Sequence, residues 1–317
     1  MAVWAADIGG TGIKLAIVDR GEIVVSREIA SVPADGLRRA MNRIAPVWRD
    51  LCRQSAIPES AITAIGIAIP AIVAPDSGKI WAVPGGKFAD ATSFNMGQWM
   101  DRRFHKPAYW CNDARAALAG ELKYGVARGL NNVVMMTLGT GVGTAAILNG
   151  RHLTGSHGLA GNAGGHNTIN SAGARCACGN IGCVETQASS WALPAVAAAS
   201  PLFATSALAR EATIHYEAVF RLAKKGDTLA RQLQSQSLTA WAITATTLTH
   251  SYDPDLLVIG GKIAVRANVI VPFMRKFIRT HCWAKWNVRI AAAALGNNAG
   301  LLGIASLAAK PRPWSKS

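Results

Sequence analysis

A chain of 317 residues, half of them hydrophobic and only 16% charged, is long enough for about two domains with large buried cores, which excludes a disordered chain. Its 33 Lys and Arg against 18 Asp and Glu leave a formal charge of +15. The basic residues are scattered in short groups such as Arg102-Arg103, Lys224-Lys225 and a tail from Lys310 to Lys316, so they read as a surface attracting anionic small molecules or simply aiding solubility, and not as a nucleic-acid face, which would cluster them.

From the N-terminus, Val3 to Ala6 predicts a strand ending at Asp7. A glycine-rich turn follows, and Ile13 to Val18 and Glu22 to Ile29 complete an antiparallel meander. Leu37, Met41, Ile44, Trp48 and Leu51 recur at intervals of four and three, one face of an amphipathic helix. Ile62 to Ile69 is a continuous apolar run, as in a strand buried on both faces. Residues 71–95, rich in Pro, Gly, Asp and Ser, form a long connection of the kind that is usually functional or disordered. Gln98 to Phe104 predicts a helix, Ala108 to Cys111 a strand ending at Asn112-Asp113, and Ala114 to Tyr124 a helix of strong formers.

The opening arrangement then recurs: a strand from Asn132 to Leu138, the turn GTGVG, and a returning strand from Thr144 to Leu148. Two half-chains with similar starts predict two related α/β domains around a central cleft. Past Glu185 the chain reads as largely helical, near 208–225 and 227–251. A strand from Leu256 to Ile259 is backed by Gly260-Gly261, and a last helix begins near Asn298. The start of the chain lacks a basic-then-apolar signal segment. The longest uncharged run, Thr186 to Ala209, is broken by polar residues and two prolines, so no membrane span is expected.

Three stretches carry chemistry. D-I-G-G-T-G-I-K at 7–14 places a carboxylate at a strand end, then glycines whose backbone N–H groups can approach phosphate oxygens; Thr11 and Lys14 add donors, and Asp7 can hold Mg²⁺ through water. L-G-T-G-V-G at 138–143 is a second turn of the same kind, and paired turns can clamp a polyphosphate. Neither is a Walker A loop, since each Gly-Lys pair in the chain is followed by Ile or Phe, and no GxGxxG fingerprint occurs. Asn112-Asp113 is either a helix N-cap or, beside a hydroxyl substrate, a candidate general base. Cys176-x-Cys178-x4-Cys183 with His166 supplies three thiolates and an imidazole, a tetrahedral set suited to a closed, structural Zn²⁺. Six cysteines with three of them inside eight residues suit ligation in a reducing cytoplasm better than disulfides.

With D-I-G-G-T at 7–11, N-D at 112–113, L-G-T-G-V-G at 138–143, C-A-C-G-N-I-G-C-V-E at 176–185 and D-P-D-L-L-V-I-G-G at 253–261, the chain resembles the ROK family of sugar kinases and repressors. The resemblance implies an actin-like ATPase (ribonuclease H-like) fold. Residues 1–113 would form an N-terminal α/β domain joined by a C-terminal helix at about 298–317, and residues 114–297 a larger domain carrying the zinc loop. It implies transfer of the γ-phosphoryl group of ATP, with Mg²⁺, to the 6-hydroxyl of a hexose or N-acylhexosamine such as glucose or N-acetylmannosamine. Asp113 would be the general base. Asn112, His166, Glu185, Gly85 and Gly86 would bind sugar. Asp7, Gly9, Gly10, Thr11, Lys14, Gly139, Thr140, Gly141, Gly260 and Gly261 would face the nucleotide, and His166, Cys176, Cys178 and Cys183 would hold zinc.

Two departures stand out. The family's E-x-G-H glutamate, which binds hydroxyls near the C1–C2 end of the sugar, falls on Ala163 counted back from His166, or on Asn162 counted forward from Gly158. The family's Asn-Leu-Pro-Gly-Trp-like sugar loop is Ala82-Val83-Pro84-Gly85-Gly86. Both changes remove polar contacts, which weakens glucose as the expected substrate and leaves a non-catalytic sugar-binding regulator, or degenerate kinase, as the alternative. Polyphosphate is a second candidate donor. With Asp7 so near the start there is no room for the DNA-binding domain of ROK repressors, and a homodimer is expected from relatives.

Overall fold

The computed structural model describes residues 1–283 and 288–310; residues 311–317, and with them the end of the expected 298–317 helix and most of the basic tail, lie outside the described residues. The chain forms two compact units.

The first unit holds Met1–Leu130, His152–Asn162 and the C-terminal segment from Ala294. Strands β1 (Ala2–Ile8), β2 (Gly12–Asp19) and β3 (Glu22–Ala30) make the predicted meander. Helix α1 (Leu37–Ser55) leads into β4 (Ile62–Ile69). The long connection that follows contains a small hairpin, β5 (Ile72–Val73) with β6 (Ile80–Ala82), before α2 (Met96–Phe104), β7 (Ala108–Asn112) and α3 (Asp113–Tyr124). The five-stranded sheet runs β3-β2-β1-β4-β7, with β1, β4 and β7 parallel. The predicted α1 stripe, Leu37, Met41, Ile44, Trp48 and Leu51, is wholly buried against one sheet face. There Trp48 stacks on Trp4 with ring centroids 5.5 Å apart.

The second unit holds Asn131–Arg151 and Ala163–Ala293. Strands β8 (Val133–Leu138), β9 (Val142–Leu148) and β10 (Arg151–His152) are followed by α4 (Val184–Ala188), α5 (Leu193–Ala198), α6 (Tyr216–Lys224), α7 (Thr228–Tyr252), β11 (Leu256–Gly260), α8 (Ala267–His281) and β12 (Arg289–Ala292). The sheet order β10-β9-β8-β11-β12 repeats that of the first unit place for place. The internal repeat in the sequence is therefore a repeat of topology. Among the described residues no helix is long and apolar enough to cross a membrane.

Two expectations change, and two elements were not anticipated. The boundary falls after Leu130, not at Asp113, because α3 packs backbone to backbone on α9 (Ala299–Ala308). A Cβ on Gly120 would strike the carbonyl of Ala299, and one on Gly303 the carbonyl of Ala116. Residues 152–162 also return to the first unit, held by the buried Arg115 of α3, whose Nη2 donates to the carbonyls of Leu153, Gly158 and Ala160 at 3.1–3.4 Å. Finally, α8 and β12 were not legible: Pro272 inside α8 argues against a helix in sequence, although Ile270, Val271, Met274 and Ile278 bury one face of it.

Candidate active site

In the first unit the parallel strands end along one edge, where doubly wound sheets bind ligands. Asp7 pairs in register with Ala68 of β4, and the next β4 residue, Ile69, pairs with Asn112 of β7, so Asp7 and Asp113 leave the same edge with β4 between them. Burial pushes the Asp7 carboxyl up to about 6, and the negative charge of Asp113 adds to the rise; Lys14, its cross-strand partner, pulls the other way. A carboxyl raised in this manner beside a second carboxylate is a natural place for a divalent cation. Helix α9 starts at this spot: a Cβ on Gly300 would lie 2.6 Å from Asp7 Oδ2.

The turn after β1 is closed by the Gly9 N–H donating to Gly12 O at 2.9 Å, and it is tied to the exit of β3 by the Ser31 N–H donating to Thr11 O at 3.2 Å. Lys14 donates to the Asn297 carbonyl at 3.1 Å. The ammonium that overhangs the turn belongs to Lys87, which lies in no motif of the sequence: a Cβ on Gly10 would meet its Nζ at 3.2 Å. The only signal in the sequence is that it follows the Pro84-Gly85-Gly86 turn of the long connection. Gly85 and Gly86 are both left-handed, with φ of 62° and 68°, and have open space around them.

The N-cap reading of Asn112-Asp113 divides between the two residues. Asn112 is the cap: its Oδ1 accepts from Ala114 N at 2.9 Å and Arg115 N at 3.3 Å, while its Nδ2 donates to Ala71 O at 3.3 Å. Asp113 stands in the first turn of α3, where the helix dipole favours its charge, and its Oδ1 accepts from Ala114 N at 2.9 Å.

In the second unit, the Gly139 N–H donates to Gly141 O at 3.0 Å, and the turn is stitched to the α4–α5 connection by Ser190 N to Gly139 O (3.1 Å) and Trp191 N to Thr140 O (3.2 Å). Glu185, on α4, accepts from Val142 N at 2.9 Å and from the Trp191 indole at 3.3 Å. Its carboxylate fills the space a Cβ on Gly141 would take. Gly260 and Gly261 end β11 beside this turn. Gly261 has φ of 86°, and a side chain there would strike the backbone of Leu138.

The ligand atoms of His166, Cys176, Cys178 and Cys183 all lie within 4.8 Å of one another. A tetrahedral zinc with its usual bond lengths needs edges of about 3.8 Å between sulfurs and about 3.5 Å from sulfur to imidazole nitrogen. Cys178 and Cys183 Sγ are 3.7 Å apart, and Cys176 Sγ is 3.6 Å from His166 Nδ1. Burial pushes the Cys183 thiol up to about 12 and raises that of Cys176; sulfurs so placed become thiolates beside a cation. The donor set fits zinc. The loop is shaped by close packing: a Cβ on Gly165 would strike Val142 O, and one on Gly182 would strike Asn170 O. Asn180 Nδ2 donates to His166 O at 3.0 Å, which fixes the histidine backbone.

Asn162 precedes this loop, its N–H donating to Leu159 O at 3.0 Å. Its side-chain Oδ1 and Nδ2 are both buried, and neither has a partner among the described residues.

Comparison with known proteins gives four likenesses that span nearly the whole chain. The ROK family model matches residues 3–311. A glucokinase of Halalkalibacterium halodurans is 30% identical over 309 residues, 94% of this chain and 92% of that protein. An N-acetylmannosamine kinase of Salmonella newport is 30% identical over 312 residues, 97% of this chain and 98% of that protein. Among solved structures, a ROK family glucokinase from Streptomyces griseus in complex with glucose and AMPPNP superposes with a TM-score of 0.83 at 26% identity, covering 98% of this chain and all of that one.

Proposed function

The chain belongs to the ROK family, and we propose that it is an ATP-dependent sugar kinase whose acceptor is the 6-hydroxyl of a hexose or N-acylhexosamine. The observation that carries this is the meeting of Asp7 and Asp113 on one strand-end edge beside a glycine turn. Phosphoryl transfer asks a protein mainly for positioning and charge neutralisation, and this edge supplies a metal-side carboxylate, a second carboxylate and backbone donors.

In the proposed reaction Asp113 accepts the proton of the sugar hydroxyl while that oxygen bonds to the γ-phosphorus and the bond to the β,γ-bridging oxygen breaks, leaving ADP and a sugar phosphate. Asp113 is suited to this because Asn112 takes over the helix cap. In the first unit Gly9, Gly10 and Thr11 would contact phosphate; in the second, Gly139 to Gly141 would do so and Gly260-Gly261 would lie near the nucleoside. Asp7 would hold Mg²⁺, whose charge neutralises the phosphates. His166 and Glu185 would bind sugar hydroxyls. With His166 Nδ1 turned to the thiols, its other ring nitrogen is left as a donor. Zinc would brace this loop and take no part in the chemistry.

Asn162, and not Ala163, takes the place of the family's missing glutamate in this reading. A buried carboxamide with two unpaired ends is poised for a ligand that both donates and accepts. The test is ADP release with ATP over a panel of glucose, mannose, N-acetylglucosamine and N-acetylmannosamine, with polyphosphate as a second donor. Turnover with one of these sugars is expected; none, from folded zinc-loaded protein, would refute the proposal. A melting shift with sugar but no turnover would favour the non-catalytic regulator.

A further inference from the structure

The ammonium of Lys87 is placed with more care than a surface lysine. Gly10 has an ordinary backbone conformation, so it needs no glycine for its φ; the nearest atoms to a Cβ built there are Lys87 Nζ at 3.2 Å and Cε at 3.8 Å. Glycine at this position leaves room for the end of a lysine over the turn. Lys87 is half-buried, and among the described residues no carboxylate forms an ion pair with it. The lysine that bears on Asp7 is Lys14, which donates to the Asn297 carbonyl.

The base of this lysine is fixed by its neighbour. Phe88 is fully buried in the first unit's core and holds φ of 53°, in the left-handed region an aromatic residue seldom enters. Such strain persists only where the surroundings over-determine it. Here the Phe88 N–H donates to Pro33 O at 3.0 Å, two residues after Ser31, whose N–H donates to Thr11 O of the turn. One stretch, Ser31 to Pro33, thus ties the glycine turn and the foot of Lys87 to the same place. Asp90 fastens the other side, accepting from the N–H groups of Leu37 and Arg38 at the start of α1.

We propose that Lys87 is a phosphate-binding catalytic residue. Its ammonium reaches over Gly10 to the polyphosphate chain of the nucleotide and neutralises charge on the phosphoryl group in transfer. The step is electrostatic: Lys87 keeps its protons, the hydroxyl proton goes to Asp113, and the leaving group is ADP. This rests on the kinase reading, and the experiment separates the two. Lys87→Met and Lys87→Arg are compared with the unaltered protein for turnover and for AMPPNP and sugar binding, after matched melting temperatures establish folding. Lys87→Met is expected to lower kcat/KM for ATP on the order of 100-fold and to weaken AMPPNP at least about tenfold with sugar binding unchanged, while Lys87→Arg recovers most of both. Turnover and AMPPNP binding within about twofold of the unaltered protein would overturn it. So would loss of sugar binding with AMPPNP binding intact. If the unaltered protein phosphorylates no sugar, the kinase reading fails, and the AMPPNP comparison alone decides the lysine.

Discussion

The pKa of Asp7 is raised to about 6, first by burial and then by the charge of Asp113 on the far side of β4. The sign of the linked stability follows directly. An acid whose folded pKa lies above its unfolded value near 3.8 binds more protons when folded, so this group costs stability as pH rises between about 4 and 6, and the cost stays in full above that window. Asp7→Asn removes the charge and is expected to raise the melting temperature at pH 8, by at most about 3 kcal/mol of stability. The gain should shrink toward pH 4. Thermal melts without nucleotide or divalent cation check this, and a gain independent of pH would contradict it. On the proposed role of Asp7 in holding Mg²⁺, the same variant should lose turnover, a carboxylate kept at the expense of the fold.

Asp113→Asn keeps an oxygen for the Ala114 N–H, so the fold should stand. Loss of a general base is expected to lower kcat about 100- to 10,000-fold with little change in sugar affinity. Turnover against calorimetric binding of sugar separates the two effects. A variant that loses binding and rate in equal measure would point instead to a positioning role.

How much of this could be read in the sequence depends on how far apart the partners lie. The two glycine turns and Asn112-Asp113 are contiguous, and His166, Cys176, Cys178 and Cys183 fall within one short stretch, so each pattern lies among neighbouring residues. The α1 stripe was legible for the same reason, as a local period. Lys87 over Gly10 and Arg115 beneath residues 153–160 join positions dozens of residues apart, and nothing in the local composition marks them. Gly120 and Gly303 look like ordinary helix residues until α3 and α9 are seen in backbone contact. The domain boundary at Asp113 failed on this point, since only that contact assigns α3 to the first unit.

Metal content tests the cysteine loop. Elemental analysis of protein purified without chelators should find about one zinc per chain, and Cys183→Ser should lose it. Because the four donors come from positions 166 to 183 and their ligand atoms lie within 4.8 Å of one another, metal removal is expected to lower the melting temperature by several degrees and activity with it. Chelation that strips zinc and leaves both unchanged would exclude a bracing role for the metal.

Gly139 and Gly261 separate fold from function. A Cβ at Gly139 meets nothing closer than Lys262 N at 3.9 Å, and its φ is ordinary. Gly139→Ala should therefore melt at the unaltered temperature or slightly higher, yet weaken AMPPNP binding by putting a methyl group where the turn is proposed to approach phosphate. Gly261→Ala combines a left-handed φ with a backbone clash at Leu138 and should lose stability, by about 1–3 kcal/mol. Equal effects of the two on stability would show that the first turn of the second unit is a structural feature only.

The proposed place of Asn162 at the position of the lost glutamate can be tested through substrate choice. An unpaired buried amide costs about 1–3 kcal/mol, and a protein that keeps one gains by pairing it when a ligand arrives. Asn162→Ala removes both the cost and the contact, so the ligand-free protein should be as stable as before or more so, while the melting shift produced by sugar shrinks. The value of kcat/KM for the preferred sugar should fall about tenfold or more, the loss of roughly 1.4 kcal/mol of binding. Asn162→Asp restores a carboxylate at that position, and comparing the sugar panel before and after reports the acceptor's preference directly. If Asn162→Ala lowers stability and leaves the sugar KM unchanged, the carboxamide serves the fold, and the sugar must be read by other residues.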